Sequence, residues 1–102
     1  VFDGAILATP SVDTVKSVNN GIIKTTFDRS QIWLAQTPQT FHKDYLLKAY
    51  TENMNVNVTD ESTLMELSGF SIKVIIGDNS NFKVTEKIDW ELAKITAKEY
   101  KQ

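Results

Sequence analysis

Short runs with sheet character alternate with stretches of helical spacing, and that alternation limits the fold more than any other feature. Gly4-Ala5-Ile6-Leu7-Ala8 is apolar and bounded by Asp3 and Pro10, so it reads as a buried strand, of the kind found in parallel sheets. Ile32 to Ala35 reads as a strand that Thr37-Pro38 ends, because proline removes a donor and biases its predecessor towards extended geometry. A helix is expected from about Lys43 to Asn53, with Tyr45, Leu46, Ala49 and Tyr50 on one core-facing side. Thr59 or Asp60 caps a second helix through Leu67, which Gly69 stops. Ser71 to Ile76 is a strand, Gly77-Asp78-Asn79-Ser80 a turn, and Phe82-Lys83-Val84 a brief strand. Thr85 caps a last helix from about Lys87 to Tyr100, with Ile88, Leu92, Ile95 and Ala97 mostly inward. Strands interleaved with helices indicate an α/β layered fold.

One segment departs from this rhythm. Two β-prone runs, Asp13 to Val18 and Ile22 to Phe27, flank Asn19-Asn20-Gly21. That is a hairpin signal, with Gly21 and an Asn supplying the positive φ angles. Few large apolar residues sit on it, so residues 13–28 are expected to project as an arm. A lone two-stranded ribbon is marginal and normally leans on something. No repeat, low-complexity stretch or linker divides the rest.

With 102 residues the chain suits one small domain or a piece of a larger one, and 41% apolar content is enough for a core. A net charge of −2 guarantees no basic face, which argues against nucleic acid or an anionic membrane as main partner. Cysteine is absent, so disulfides, a thiolate nucleophile and cysteine-based metal sites are excluded. That composition fits a reducing compartment, and the cytoplasm is the expected location. No apolar run is long enough to span a membrane, and no basic-then-apolar leader is visible. The chain opens on Val1 rather than Met, so a start within a longer protein is expected.

The stretch from Asp28 to Phe41 carries an arginine, small hydroxyl residues, glutamines and a proline beside Trp33 and Phe41. A guanidinium, hydroxyls and amides fix an anionic ligand while aromatics hold the wall rigid. No Gly-rich phosphate loop occurs, so the wall reads as half of a site. Lys83 lies between a polar turn and a helix start, where open α/β sheets bind ligands and anions are favoured. The plainer alternative is a lysine on a solvated edge. Arg29 reads either as a phosphate clamp or as a surface ion pair with Asp28 or Asp13. Thr37 and Thr59 suit turn and capping chemistry. Asp60 and Glu61, like Asp89 and Glu91, read as helix-dipole complements rather than metal ligands. His42 has no nucleophile-elbow pattern to serve and reads as an exposed helix-start residue. Trp33 and Trp90 are expected to be packing anchors.

Ala8-Thr9-Pro10-Ser11-Val12-Asp13-Thr14-Val15-Lys16, Asp28-Arg29, Trp33-x-x-Gln36-Thr37-Pro38-Gln39-x-Phe41, Thr59-Asp60-Glu61 and Asn81-Phe82-Lys83-Val84-Thr85 stand in one order along essentially the whole chain. In order and spacing they resemble the 2-C-methyl-D-erythritol 4-phosphate cytidylyltransferase family of the non-mevalonate isoprenoid pathway. The resemblance implies a Rossmann-like nucleotidyltransferase layered fold, of which this is the C-terminal portion, with a hairpin arm that reaches over a second subunit of a homodimer. It implies transfer of CMP from CTP to the sugar-alcohol phosphate with release of pyrophosphate. Lys83 would be the catalytic cation. Thr14, Arg29, Thr37 and Thr59 would bind the sugar-alcohol phosphate, with Thr14 and Arg29 acting in the partner's site. Mg2+ would be the cofactor, with ligands elsewhere in the full-length enzyme. The family's Gly-rich CTP loop is not in this sequence, so the stretch by itself is expected to be inactive. Asp13-Thr14 followed after one residue by Lys16 favours this family over ribitol-5-phosphate cytidylyltransferase. The alternative of another class is a non-catalytic dimerisation module.

Overall fold

The computed structural model describes residues 2–100; Val1, and the expectation attached to it, lies outside them. Among the described residues, five strands and three helices follow in the order β1 (Gly4–Pro10), β2 (Lys16–Asn19), β3 (Ile22–Thr26), β4 (Trp33–Phe41), α1 (Lys43–Glu52), α2 (Glu61–Leu67), β5 (Ile72–Ile76) and α3 (Lys87–Tyr100). One 3-10 turn, Arg29–Gln31, precedes β4.

The central sheet has the order β4-β1-β5. β1 runs parallel to β5, as its apolar run suggests, and antiparallel to β4. Its central place shows in Ile6 and Ala8, both buried. Gly4 has no room for a side chain: a Cβ there would lie 2.8 Å from the Thr40 carbonyl oxygen of the paired strand. Glycine at this position therefore follows from close backbone approach.

β4 differs from expectation. It does not end at Thr37-Pro38 but continues to Phe41, with a cis peptide at Thr37–Pro38. Ile6 pairs with Gln39 and Ala8 with Ala35, so Leu7 alone faces Gln36, Thr37 and Pro38. The missing proline donor falls inside this bulge, where no ladder bond is needed, and the strand resumes beyond it.

The core lies where α1 and α2 close over one end of the sheet. Ala49, Leu64 and Met65 are buried, with Phe41, Leu46, Val58, Phe70 and Ile72 packed around them. Tyr45 and Tyr50 were expected inside; both remain partly exposed. The Tyr45 ring stacks between His42 and Phe70, with centroids 4.4 and 4.9 Å apart, and Tyr50 donates its hydroxyl to Glu61. The small Ala49 takes the contact position on α1 instead. Asn53 ties the ends of the two helices together, donating through Nδ2 to the Ala49 carbonyl and to Ser68 Oγ. Gly69, at φ +84, turns the chain out of α2.

β2 and β3 form a separate two-stranded sheet, joined by Asn20 (φ 52) and Gly21 (φ 75). Val18, Ile22 and Ile23 stand exposed on it. Phe82–Val84 is not a strand; after β5 the chain runs irregularly to α3. The expected inward face of α3 is uncovered: Ile88 is 71% exposed, with Leu92, Ile95 and Ala97 exposed too. Trp90 is 57% exposed and Trp33 is at the edge of exposure, so neither anchors a core here. The helix has its amphipathic spacing, but no described element covers its apolar side. Its start is held by the Asp89 carboxylate, which accepts from the backbone N–H groups of Thr85 and Glu86 and from the Thr85 hydroxyl. Thr85 is thus the donor to Asp89 rather than the cap acceptor. No described helix is long and apolar enough to cross a membrane.

Candidate functional site

The bulge in β4 is the hub of a cleft of about 560 Å³. Thr37, Thr59 and Lys83, singled out from sequence on three separate segments, all line it. Gln36, Gln39, Thr9, Asp60 and Phe82 are among its other lining residues. The folding reason is a set of side-chain ties from β4 to two loops. Gln36 donates to the Asp78 carbonyl at 2.9 Å, and Asn81 donates to the Thr37 carbonyl. These bonds hang the irregular segment bearing Lys83 on the bulge. Gly77 leaves the space that the Gln36 amide occupies; a Cβ there would collide with it. On the other side, Gln39 donates to Asp60 Oδ2 at 3.1 Å, next to Thr59.

One charge and two unpartnered hydroxyls belong to residues that line this space. Lys83 is exposed and makes no ion pair or hydrogen bond among the described residues. The hydroxyls of Thr37 and Thr59 are likewise without side-chain partners there. The amide oxygens of Gln36 and Gln39 are buried and unpartnered. One ammonium with two nearby hydroxyls suits an anion bearing hydroxyl groups, the chemistry of a polyol phosphate.

Thr14 and Arg29 are not in this cleft. Both are exposed at the base of the hairpin, where Arg29 Nη1 donates to the Val12 carbonyl at 3.1 Å. Arg29 makes no ion pair with Asp28 or Asp13; Asp28 instead accepts from the backbone N–H and hydroxyl of Ser30. The guanidinium therefore keeps donors to spare.

Asp60 is the N-cap of α2, as one of the two sequence readings has it. Its Oδ1 accepts from Thr63 N at 3.0 Å and Thr63 Oγ1 at 2.7 Å; its Oδ2 accepts from Ser62 Oγ and Gln39. Partial burial pushes its carboxyl up, but the bonds from Thr63, Gln39 and Ser62 outweigh this and leave it below the usual range. A carboxylate so occupied has no lone pairs directed at a metal. Among the described residues no group of His, Asp or Glu side chains could hold one. The magnesium implied by the family resemblance thus has no fitting ligand set here.

The lowered pKa has a definite sign. A carboxyl depressed in the folded state stabilises the fold above its unfolded value, about 4, and loses that contribution as pH falls through the folded value. Asp60→Asn keeps the capping acceptor but removes the titration. The wild-type melting temperature should therefore fall more steeply than the variant's on acidification below about pH 4. Asp28, Asp78 and Asp89 are lowered too and titrate in both proteins, so the difference isolates Asp60. Parallel melting curves across that range would remove the assignment.

Sequence reasoning missed the ties made by Gln36, Gln39 and Asn81. The only available signal was the density of amides in Gln36-Thr37-Pro38-Gln39 and in the turn ending at Asn81.

The chain has clear relatives among known proteins. The family model of "IspD: 2-C-methyl-D-erythritol 4-phosphate cytidylyltransferase" matches residues 1–99. The enzyme of that name from Prochlorococcus marinus is 46% identical over 99 residues, covering 94% of this chain and 44% of its own length. The one from Carboxydothermus hydrogenoformans is 41% identical over 101 residues, covering 97% and 43%. The crystal structure of 4-diphosphocytidyl-2C-methyl-D-erythritol synthase from Anaerococcus prevotii superposes with a TM-score of 0.83 at 31% identity, over 95% of this chain and 47% of that one. The central sheet, helices and layering are those of these nucleotidyltransferases. The chain spans less than half the length of the curated relatives it matches. With nearly every residue inside the family match, the chain belongs to the 2-C-methyl-D-erythritol 4-phosphate cytidylyltransferase (IspD) family.

Proposed function

We propose that this chain is the sugar-alcohol-phosphate side of a cytidylyltransferase that joins CTP to 2-C-methyl-D-erythritol 4-phosphate in the non-mevalonate pathway. The observation that carries the reading is the convergence of Thr37, Thr59 and Lys83 on one cleft. In the reaction a phosphate oxygen of the sugar-alcohol phosphate attacks the α-phosphorus of CTP. The bond from that phosphorus to the bridging oxygen breaks, and pyrophosphate leaves with the electron pair. Such a transfer needs little covalent work from the protein; placement and charge neutralisation dominate. Lys83 offsets the negative charge that gathers on the reacting phosphates. The hydroxyls of Thr37 and Thr59 orient the polyol phosphate.

Thr14 and Arg29 lie on the hairpin base and away from this cleft, so we assign them to the site of a second subunit reached by the arm. The exposed apolar residues Val18, Ile22 and Ile23 support such a docked arm. The exposed apolar side of α3 and the free edge of β5 would be covered by the remainder of the enzyme, which also supplies the CTP loop. Any magnesium would be held by that remainder. The 102-residue stretch alone would then not turn over. The cysteine-free composition supports a cytoplasmic location.

Pyrophosphate release by the full-length enzyme tests the function. CTP with methylerythritol phosphate should react, and CTP with ribitol 5-phosphate should react far more slowly. Preference for ribitol phosphate, or no turnover with either alcohol, would overturn the reading.

A further inference from the structure

We infer that Gln39 is a positioning residue that sets the gap between Thr37 and Thr59 across the cleft. The inference rests on the reading of this cleft as the sugar-alcohol phosphate site, and adds a residue to it. Gln39 Nε2 donates both to Asp60 Oδ2 at 3.1 Å and to the Gln36 carbonyl at 3.3 Å. It is the hydrogen-bond link between β4 and the start of α2 among the described residues. Its two acceptors sit one position from the two threonines: Gln36 precedes Thr37, and Asp60 follows Thr59.

Each end of this link is itself fixed. The Gln36 carbonyl belongs to the bulged segment, whose next carbonyl, that of Thr37, accepts from Asn81. Asp60 is held by Thr63 and Ser62 as the helix cap. The amide cannot turn over without cost, since a flip would set its oxygen against the Asp60 carboxylate, acceptor facing acceptor. Neither threonine hydroxyl has another partner among the described residues to place it. The single side chain of Gln39 therefore transmits the position of one wall to the other. The substrate hydroxyls and phosphate span that gap, so their binding, rather than that of CTP, depends on it.

The test is steady-state kinetics on the full-length enzyme with Gln39→Glu, Gln39→Leu and the double variant Gln39→Glu/Asp60→Asn. The Gln39→Glu carboxylate faces that of Asp60 and forces the walls apart, whereas Gln39→Leu removes the donor at similar size. Both singles should raise the KM for the sugar-alcohol phosphate about tenfold or more, leaving the KM for CTP within about twofold. The Gln39→Glu defect should shrink on acidification, as one carboxyl of the facing pair takes a proton. The double variant exchanges donor for acceptor. The amide introduced by Asp60→Asn donates to the carboxylate introduced by Gln39→Glu, which remakes the tie to the helix start though not the bond to the Gln36 carbonyl, and the KM should fall well below that of the Gln39→Glu single variant. A purely structural role would lower melting temperature without this split between the two KM values. An unchanged KM for the alcohol phosphate in both singles, an equal rise for both substrates, or no rescue by the exchange would each overturn the inference while wild-type turnover stands. A wild-type enzyme that reacts with neither alcohol would bring down the functional reading and this inference with it.

Discussion

In the full-length enzyme, Lys83→Ala should lower kcat by about a hundred- to a thousandfold, the scale seen when one preorganised charge-stabilising group is removed from a transition state. The same change should move stability by no more than about 0.5 kcal/mol, as for surface substitutions generally. The split follows from where the lysine sits. It is exposed, lines the cleft with Thr37 and Thr59, and makes no ion pair or hydrogen bond among the described residues. Nothing in the fold leans on it, so its removal leaves no buried partner unsatisfied. On the proposed role, its loss would be felt when phosphate charge builds up between attacking and leaving oxygens. Lys83→Arg should recover only part of the rate, because a planar fork replaces a compact point charge. Paired turnover and thermal-melting measurements decide the matter. Near-normal kcat, or a loss of activity matched by a loss of folded protein, would remove the catalytic role.

What could be read from sequence, and what could not, divides along the range of the interactions. The hairpin was legible because Asn20 and Gly21 encode positive φ angles locally. The start of α2 was legible because Asp60 caps it within one turn, and Gly69 ends it the same way. Lys83, Thr37 and Thr59 stand out locally by residue type and place, but their meeting depends on bonds linking residues far apart in sequence, such as Gln36 to Asp78 and Gln39 to Asp60. The passage of β4 through Pro38 was missed for a related reason. A proline ends a strand only if its absent donor is needed, and that is decided by the register of β1. For α3 the periodicity gave the helix and its apolar side, yet Ile88, Leu92 and Ile95 face no described element. Amphipathic spacing says that a face wants cover; it does not say what provides it.

Arg29→Ala should raise the KM for the sugar-alcohol phosphate by about ten- to a hundredfold, the cost of losing a charge-assisted contact to phosphate, with a smaller rise for CTP. An equal rise for the two substrates would cancel the assignment. Its placement allows a sharper expectation. Arg29 lies at the hairpin base with one donor on the Val12 carbonyl and the rest of its fork open, outside the cleft that holds Lys83. If the arm serves a second subunit, Arg29 and Lys83 of one chain act in different sites. Arg29→Ala and Lys83→Ala homodimers would each be impaired at both sites. Subunits exchanged between them would form mixed dimers in which one site has both lesions and the other has neither. With random reassociation at equal amounts, about a quarter of all sites would be intact, given a closed twofold dimer. Activity should therefore rise on mixing towards about a quarter of wild type, well above either parent at subsaturating alcohol phosphate. Were both residues to act within one subunit, every site in the mixture would carry one lesion, and mixing would restore nothing.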